Sequence, residues 1–151
     1  MLKIRIDYRE LHQKVSIPKG LKTLVKEIGI EERKKLGEIC IIFVSTERIF
    51  QINKSYLGHH YLTDVITFDN SLKGIVRGDL FICYEEVLLN ADRYSSKKEV
   101  ELLRVIIHGI LHLCGYGDKS QVEIEKMRSR EEFFLQRTEE MKDDGKDGFK
   151  L

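Results

Sequence analysis

Six consecutive apolar residues, Ile39-Cys40-Ile41-Ile42-Phe43-Val44, constrain the fold of this chain more than any other stretch. Side chains of a strand point alternately to its two faces, so a strand that is apolar throughout must be covered on both. It is therefore expected at the centre of a sheet flanked by helices. Upstream, Leu2, Ile4, Ile6 and Tyr8 alternate with Lys3, Arg5 and Asp7, which predicts a first strand with one buried face. Between the two, Pro18 suits the first turn of a helix, and Leu21, Leu24, Val25 and Ile28 recur at helical spacing as far as Gly29. Strand, helix and second strand predict a parallel, right-handed crossover.

Further along, Ser45 or Thr46 can cap a helix that carries Ile49, Ile52 and Tyr56 on one stripe. Thr63–Phe68 and Gly78–Cys83 read as two strands. Asn70, Ser71, Lys73 and Gly74 supply a turn between them, so a hairpin is expected. A helix should start near Glu85 and run to about Tyr94, with Ser95 or Ser96 capping the next. In that next helix Val100, Leu103, Ile107 and Leu111 form the stripe to be buried. Ser120 and Glu123 have capping-box spacing for a final helix, whose buried candidates are Val122, Ile124, Met127, Phe133 and Phe134. The expected fold class is α/β, with a small, mixed, mostly parallel four-stranded sheet and about five helices. At 151 residues a single domain is expected, spanning 1–142, with 143–151 as a flexible tail of charges and glycines.

The chemistry of the chain is concentrated after Glu99. Residues 99–104 are helix formers, and the helix continues through Val105-Ile106-Ile107-His108-Gly109-Ile110-Leu111-His112. Residues four apart lie one above the other on a helix, so His108 and His112 share a face. Gly115 and Gly117 then let the chain turn, which could return Asp118 toward the imidazoles. Two nitrogens and one oxygen leave a coordination position open, as a catalytic metal requires. Two histidines that only line a packed helix are the plainer alternative. The other functional classes are bounded by composition. A net charge of +1 gives no global positive field, so any contact with nucleic acid must come from a local patch. No apolar run is long enough to span a membrane, and Met1–Arg5 does not begin a signal peptide. Cys40, Cys83 and Cys114 sit among apolar residues, as reduced core thiols of a cytoplasmic protein do.

The run His108-Gly109-Ile110-Leu111-His112-Leu113-Cys114-Gly115-Tyr116 closely resembles the signature of the YbeY family, bacterial zinc-dependent endoribonucleases and rRNA maturation factors. The family pattern is H-G-x-L-H-L-x-G-Y-D-H, with its three histidines as metal ligands. By position His108 and His112 are the first two ligands, Asp118 stands at the third, and Gly117 replaces the aspartate before it. Gln51–Leu57 resembles the family's L-N-x-x-Y-R element, matching at Asn53 and Tyr56, with Leu57 where the family has arginine. Lys54, or His59 and His60, could supply the polar contact to substrate in its place. Thr63–Phe68 and Gly78–Cys83 resemble the family's T-D-V-L-S-F and G-D-I strands. They bring forward Asp64 and Asp79 as carboxylates that could accept the free ring N–H of a metal-bound histidine. For Asp64 the plainer role is bonding nearby backbone N–H groups at the strand entry.

The resemblance implies an endoribonuclease that hydrolyses single-stranded RNA in rRNA maturation and ribosome quality control. Its partners would be rRNA and the small ribosomal subunit, and its metal zinc, with nickel, manganese or iron as substitutes that an oxygen ligand tolerates. The catalytic residues expected are His108 and His112, with His108, His112 and Asp118 as the metal set. The ion would acidify a bound water or polarise the phosphoryl oxygen. A metzincin-like zinc peptidase shares the H-x3-H-x2-G spacing. It requires a glutamate as general base directly after the first histidine, where this chain has Gly109. A third alternative is a non-catalytic, metal-stabilised ribosome assembly factor.

Overall fold

The computed structural model describes residues 1–58 and 63–143, with side chains to residue 138. Its elements follow in the order β1 (Lys3–Asp7), α1 (Leu21–Glu31), β2 (Lys35–Val44), α2 (Thr46–Leu57), β3 (Val65–Asp69), β4 (Ile75–Cys83), α3 (Tyr84–Arg93), α4 (Lys98–Leu113) and α5 (Gln121–Asp143). The sheet order is β1-β2-β4-β3. β1 and β4 pair with β2 in parallel, and β3 pairs with β4 antiparallel through the expected hairpin. The mixed, mostly parallel α/β sheet and its five helices thus match the expectation. β2, which carries the apolar run Ile39–Val44, is one of the two central strands.

Strand alternation divides the core in two. Ile39, Ile41 and Phe43 of β2, with Leu80 and Ile82 of β4, are fully buried in the larger cluster, which also holds Leu24, Val25 and Ile28 of α1 and Leu103, Ile106, Ile107 and Ile110 of α4. Val44 and Cys83 take the opposite face, with Ile66 of β3 and with Ile49 and Ile52 of α2. α2 therefore lies across the sheet from α4.

α4 approaches the sheet at two glycines. A Cβ on Gly109 would stand 2.6 Å from Leu80 Cδ2 and 2.7 Å from its Cγ. A Cβ on Gly78 would stand 2.6 Å from the Phe68 carbonyl oxygen and 2.5 Å from Leu113 Cδ2. Absent side chains at both positions set the depth of α4, and with it the positions of His108 and His112.

Some local expectations need correction. α4 starts at Lys98 behind Lys97, with no side-chain cap. Ser95 and Ser96 instead close α3: Ser95 has a left-handed φ of 51°, and the Ser96 N–H donates to Ala91 O at 2.9 Å. Pro18 precedes α1, its carbonyl accepting from Leu21 N at 3.1 Å, and Gly20 is the N-cap. β1 ends at Asp7, leaving Tyr8 exposed. Val122 is 74% exposed, because the buried stripe of α5 runs through Met127, Phe134 and Leu135. Ser120 and Glu123 do form the capping box: Ser120 N donates to Glu123 Oε1 at 3.0 Å, and Glu123 N to Ser120 Oγ at 3.1 Å.

Candidate metal centre

α4 delivers both imidazoles from its last two turns, with ring centroids 4.6 Å apart. The helix stops at Cys114, and Gly115 takes φ +110°, a left-handed conformation open to glycine and strained for other residues. The chain then doubles back. Tyr116 N donates to Leu111 O at 3.0 Å, and the Asp118 carboxylate reaches the histidines. Asp118 Oδ2 lies 3.1 Å from His112 Nε2 and 3.8 Å from His108 Nε2. One ligand atom from each of the three residues falls within 4.8 Å of the others, the separation an ion between them needs. Gly117, where the family has aspartate, makes room for Glu123: a Cβ there would collide with that carboxylate as it caps α5.

The other ring nitrogens are already engaged. His108 Nδ1 lies 2.7 Å from Glu131 Oε2, and His112 Nδ1 lies 2.8 Å from the Tyr116 carbonyl oxygen. A carbonyl oxygen only accepts, so His112 Nδ1 is the donor there, and Nε2, facing Asp118 at 3.1 Å, is the nitrogen that an ion would take. A carboxylate on His108 Nδ1 has the same effect. Two Nε2 atoms and a carboxylate oxygen thus converge, with acceptors behind both rings, an arrangement that could hold a metal ion. Burial alone would lower the His108 pKa, but the Glu131 carboxylate outweighs it and holds the imidazole above its ordinary value.

Both supporting groups are themselves anchored. Arg104 lies 3.5 Å from Glu131 Oε1 and 2.8 Å from Glu132 Oε1. The Tyr116 hydroxyl donates to Glu32 Oε1 at 2.6 Å, and Arg130 Nε to Glu32 Oε2 at 2.9 Å. Burial, followed by the Glu32 carboxylate, pushes the Tyr116 hydroxyl up to about 12.

Sequence reasoning missed Glu131. It is 5% exposed and follows buried Met127 by four residues on α5, with buried Leu135 four further on. A carboxylate in the middle of a buried helical stripe was the available signal. Asp64, proposed for that contact, lies nearby. It accepts from Asn90 Nδ2 at 3.3 Å, and its carboxyl is pushed up by burial against the opposing pull of His108. Asp79 is not brought to the histidines. Its neighbours Gly78 and Leu80 face α4, so alternation turns Asp79 to the far side, where it accepts from Asn70 Nδ2 at 3.1 Å. There it helps, after burial, to push the Cys40 thiol up to about 11. Asn53 is buried on the inner side of α2, across the sheet from α4. Leu57 ends that helix, 45% exposed. His59 and His60 lie outside the described residues.

Comparison with known proteins decides the family. The family model described as Endoribonuclease YbeY matches residues 3–139. The chain belongs to the YbeY family. The Endoribonuclease YbeY of Bacteroides fragilis is 46% identical over 107 residues, covering 71% of this chain and 77% of that protein. The Cytophaga hutchinsonii YbeY is 43% identical over 127 residues, covering 83% of this chain and 86% of its own. The solution structure of a Thermotoga maritima protein superposes with a TM-score of 0.57 at 29% identity, covering 99% of this chain and 100% of that one. YbeY membership favours neither alternative drawn from the sequence, the peptidase or the non-catalytic factor. The residue after His108, Gly109, also lacks the proton acceptor that a peptidase would need.

Proposed function

We propose that this YbeY protein is a metal-dependent endoribonuclease that hydrolyses single-stranded RNA during rRNA maturation, with His108, His112 and Asp118 as ligands and zinc as the resident ion. The observation that carries the reading is the convergence of two Nε2 atoms and one carboxylate oxygen, with Glu131 and the Tyr116 carbonyl behind the two rings. An ion held there supplies Lewis acidity toward a phosphoryl oxygen and lowers the pKa of water.

The chain's own residues do the rest. Glu131 and the Tyr116 carbonyl hold the Nδ1 protons, which leaves Nε2 of each neutral ring as the ligand atom. Asp118 adds a negative charge that a third histidine would not, which leaves the centre less electrophilic. It also loosens the preference for zinc over manganese, iron or nickel. Gly109 keeps α4 tight on the sheet, which holds the two imidazoles at a fixed height.

Among the described residues, no helix is long and apolar enough to cross a membrane. We also propose a cytoplasmic location, where free cysteines such as Cys40, Cys83 and Cys114 stay reduced, and association with the small ribosomal subunit, which rRNA as substrate supports. The test is elemental analysis of the purified protein beside cleavage of a single-stranded RNA. Cleavage that is lost in a folded His112→Ala variant supports the reading. Absence of bound metal, or cleavage that survives the substitution, rejects it. Co-sedimentation with 30S particles checks the partner.

A further inference from the structure

Beside the metal centre lies a cavity of about 660 Å³, lined by His108 and Asp118 and extending between α3, α4 and α5. Its volume falls within the roughly 300–1,000 Å³ typical of small-molecule pockets. Val65, Val105 and Met127 give it apolar walls, and Tyr94, 71% exposed, stands among its lining residues. Its polar lining is dominated by acceptors. Asp64 and Glu101 both face it; burial pushes both carboxyls up, and the Glu131 carboxylate adds to the rise in each. Glu101 is 4% exposed, with Arg104 at 3.5 Å as its ion-pair partner. The Ser96 hydroxyl also lines the cavity and is buried with no hydrogen-bond partner among the described residues.

Phosphate does not suit such a lining. Asp64, Glu101, Glu131 and Glu132 outnumber Arg104 and Arg128. A neutral group rich in N–H donors does suit it. We infer that this cavity receives one nucleobase of the RNA strand next to the scissile phosphate, and that its carboxylates select guanine. Guanine is the base whose Watson–Crick edge carries two adjacent donors, N1–H and the N2 amino group, which one carboxylate accepts side by side. Adenine and cytosine pair one amino donor with a ring-nitrogen acceptor. Uracil places its N–H between two carbonyls. Those acceptors meet carboxylate oxygens unfavourably, and each good bidentate pair discriminates by a large factor. The Ser96 hydroxyl, without a partner among the described residues, is the donor on hand for the remaining guanine O6. Single-stranded RNA is commonly read in this way, with a base splayed out onto an aromatic ring and bonded along its Watson–Crick edge. Tyr94 supplies the ring.

The inference rests on the RNA-cleaving reading, yet its test does not require cleavage. The zinc-loaded, isotope-labelled full chain is titrated with guanosine, adenosine, cytidine, uridine and inosine. Nucleosides carry no phosphate, so the metal cannot anchor them through one. Guanosine is expected to bind about tenfold tighter than adenosine, cytidine or uridine, with inosine between, because inosine lacks the N2 amino group. The amide shifts should centre on Asp64, Val65 and Tyr94. Asp64→Asn should abolish the preference, and Tyr94→Ala, a change at an exposed ring, should weaken every nucleoside. Equal affinities, a preference for another base, or shifts centred elsewhere overturn the inference. Loss of RNA cleavage with intact guanosine selectivity would instead count against the RNA-cleaving reading alone.

Discussion

Gly109→Ala separates two arguments that predict opposite signs. Glycine in a helix interior is worse than alanine by about 1 kcal/mol, so from sequence alone the change should stabilise α4. In the structure the new methyl carbon would stand 2.6–2.7 Å from Leu80, a fully buried side chain on the central strand β4. The Thr67 hydroxyl, 3.3 Å away, closes another direction. Overpacking of a tight core costs about 1–3 kcal/mol. Leu80 is fully buried and cannot retreat, so the upper part of that range applies, about 2–3 kcal/mol; subtracting the helical gain leaves a net loss of about 1–2 kcal/mol, and a chain of this size loses roughly 2–4 °C of Tm per kcal/mol. A drop of about 2–8 °C is therefore expected in thermal unfolding of the metal-free protein. Because position 109 lies between the two histidines, lifting α4 off the sheet should also weaken zinc binding. An unchanged or raised Tm would refute the claim that this glycine is required by a close approach.

Further outcomes are expected around the same centre. Asp118→Ala should weaken zinc binding by tenfold or more in competition with a chromophoric chelator; unchanged affinity would remove Asp118 from the ligand set. Glu131→Ala should cost about 10–100-fold in the same assay, with Glu131→Gln intermediate because its amide oxygen still accepts from His108 Nδ1. The His108–Glu131 pair also makes metal-free stability depend on pH. The folded pKa of His108 is raised, so the pair's contribution is complete below the unfolded value near 6.5 and is lost as pH climbs through the raised value. The stability gap between wild type and Glu131→Gln in urea should accordingly be widest in mild acid and narrow toward alkaline pH; a gap that widens instead would contradict this sign. Glu32→Gln should lower zinc affinity more modestly, because Glu32 reaches His112 only through Tyr116.

Periodicity carried the fold because it reports burial directly. The unbroken run Ile39–Val44 had to be central, and it is. The i, i+4 pair His108 and His112 had to share a face. The glycine-bounded turn that returns Asp118 could be anticipated from composition. Hidden features depended on tertiary partners. Nothing local to Glu131 says that His108 lies opposite it, since the two sit on different helices, and the role of Glu32 depends on a tyrosine far along the chain. Asp79 misled because its motif sits one residue out of step with the face that meets α4. The two serines after α3 misled because serine serves helix starts and left-handed turns alike.

The position of α5 has a mechanical consequence. This helix carries Glu131 behind one ring, follows directly from the loop that bears Asp118, and reaches α1 through Arg137 with Glu27 and the C-cap of α1 through Arg130 with Glu32. Stripping the ion would therefore unfasten a clasp whose far end lies on the first helix of the chain. Amide exchange along α1, remote from the chemistry, should quicken when the protein is treated with a chelator.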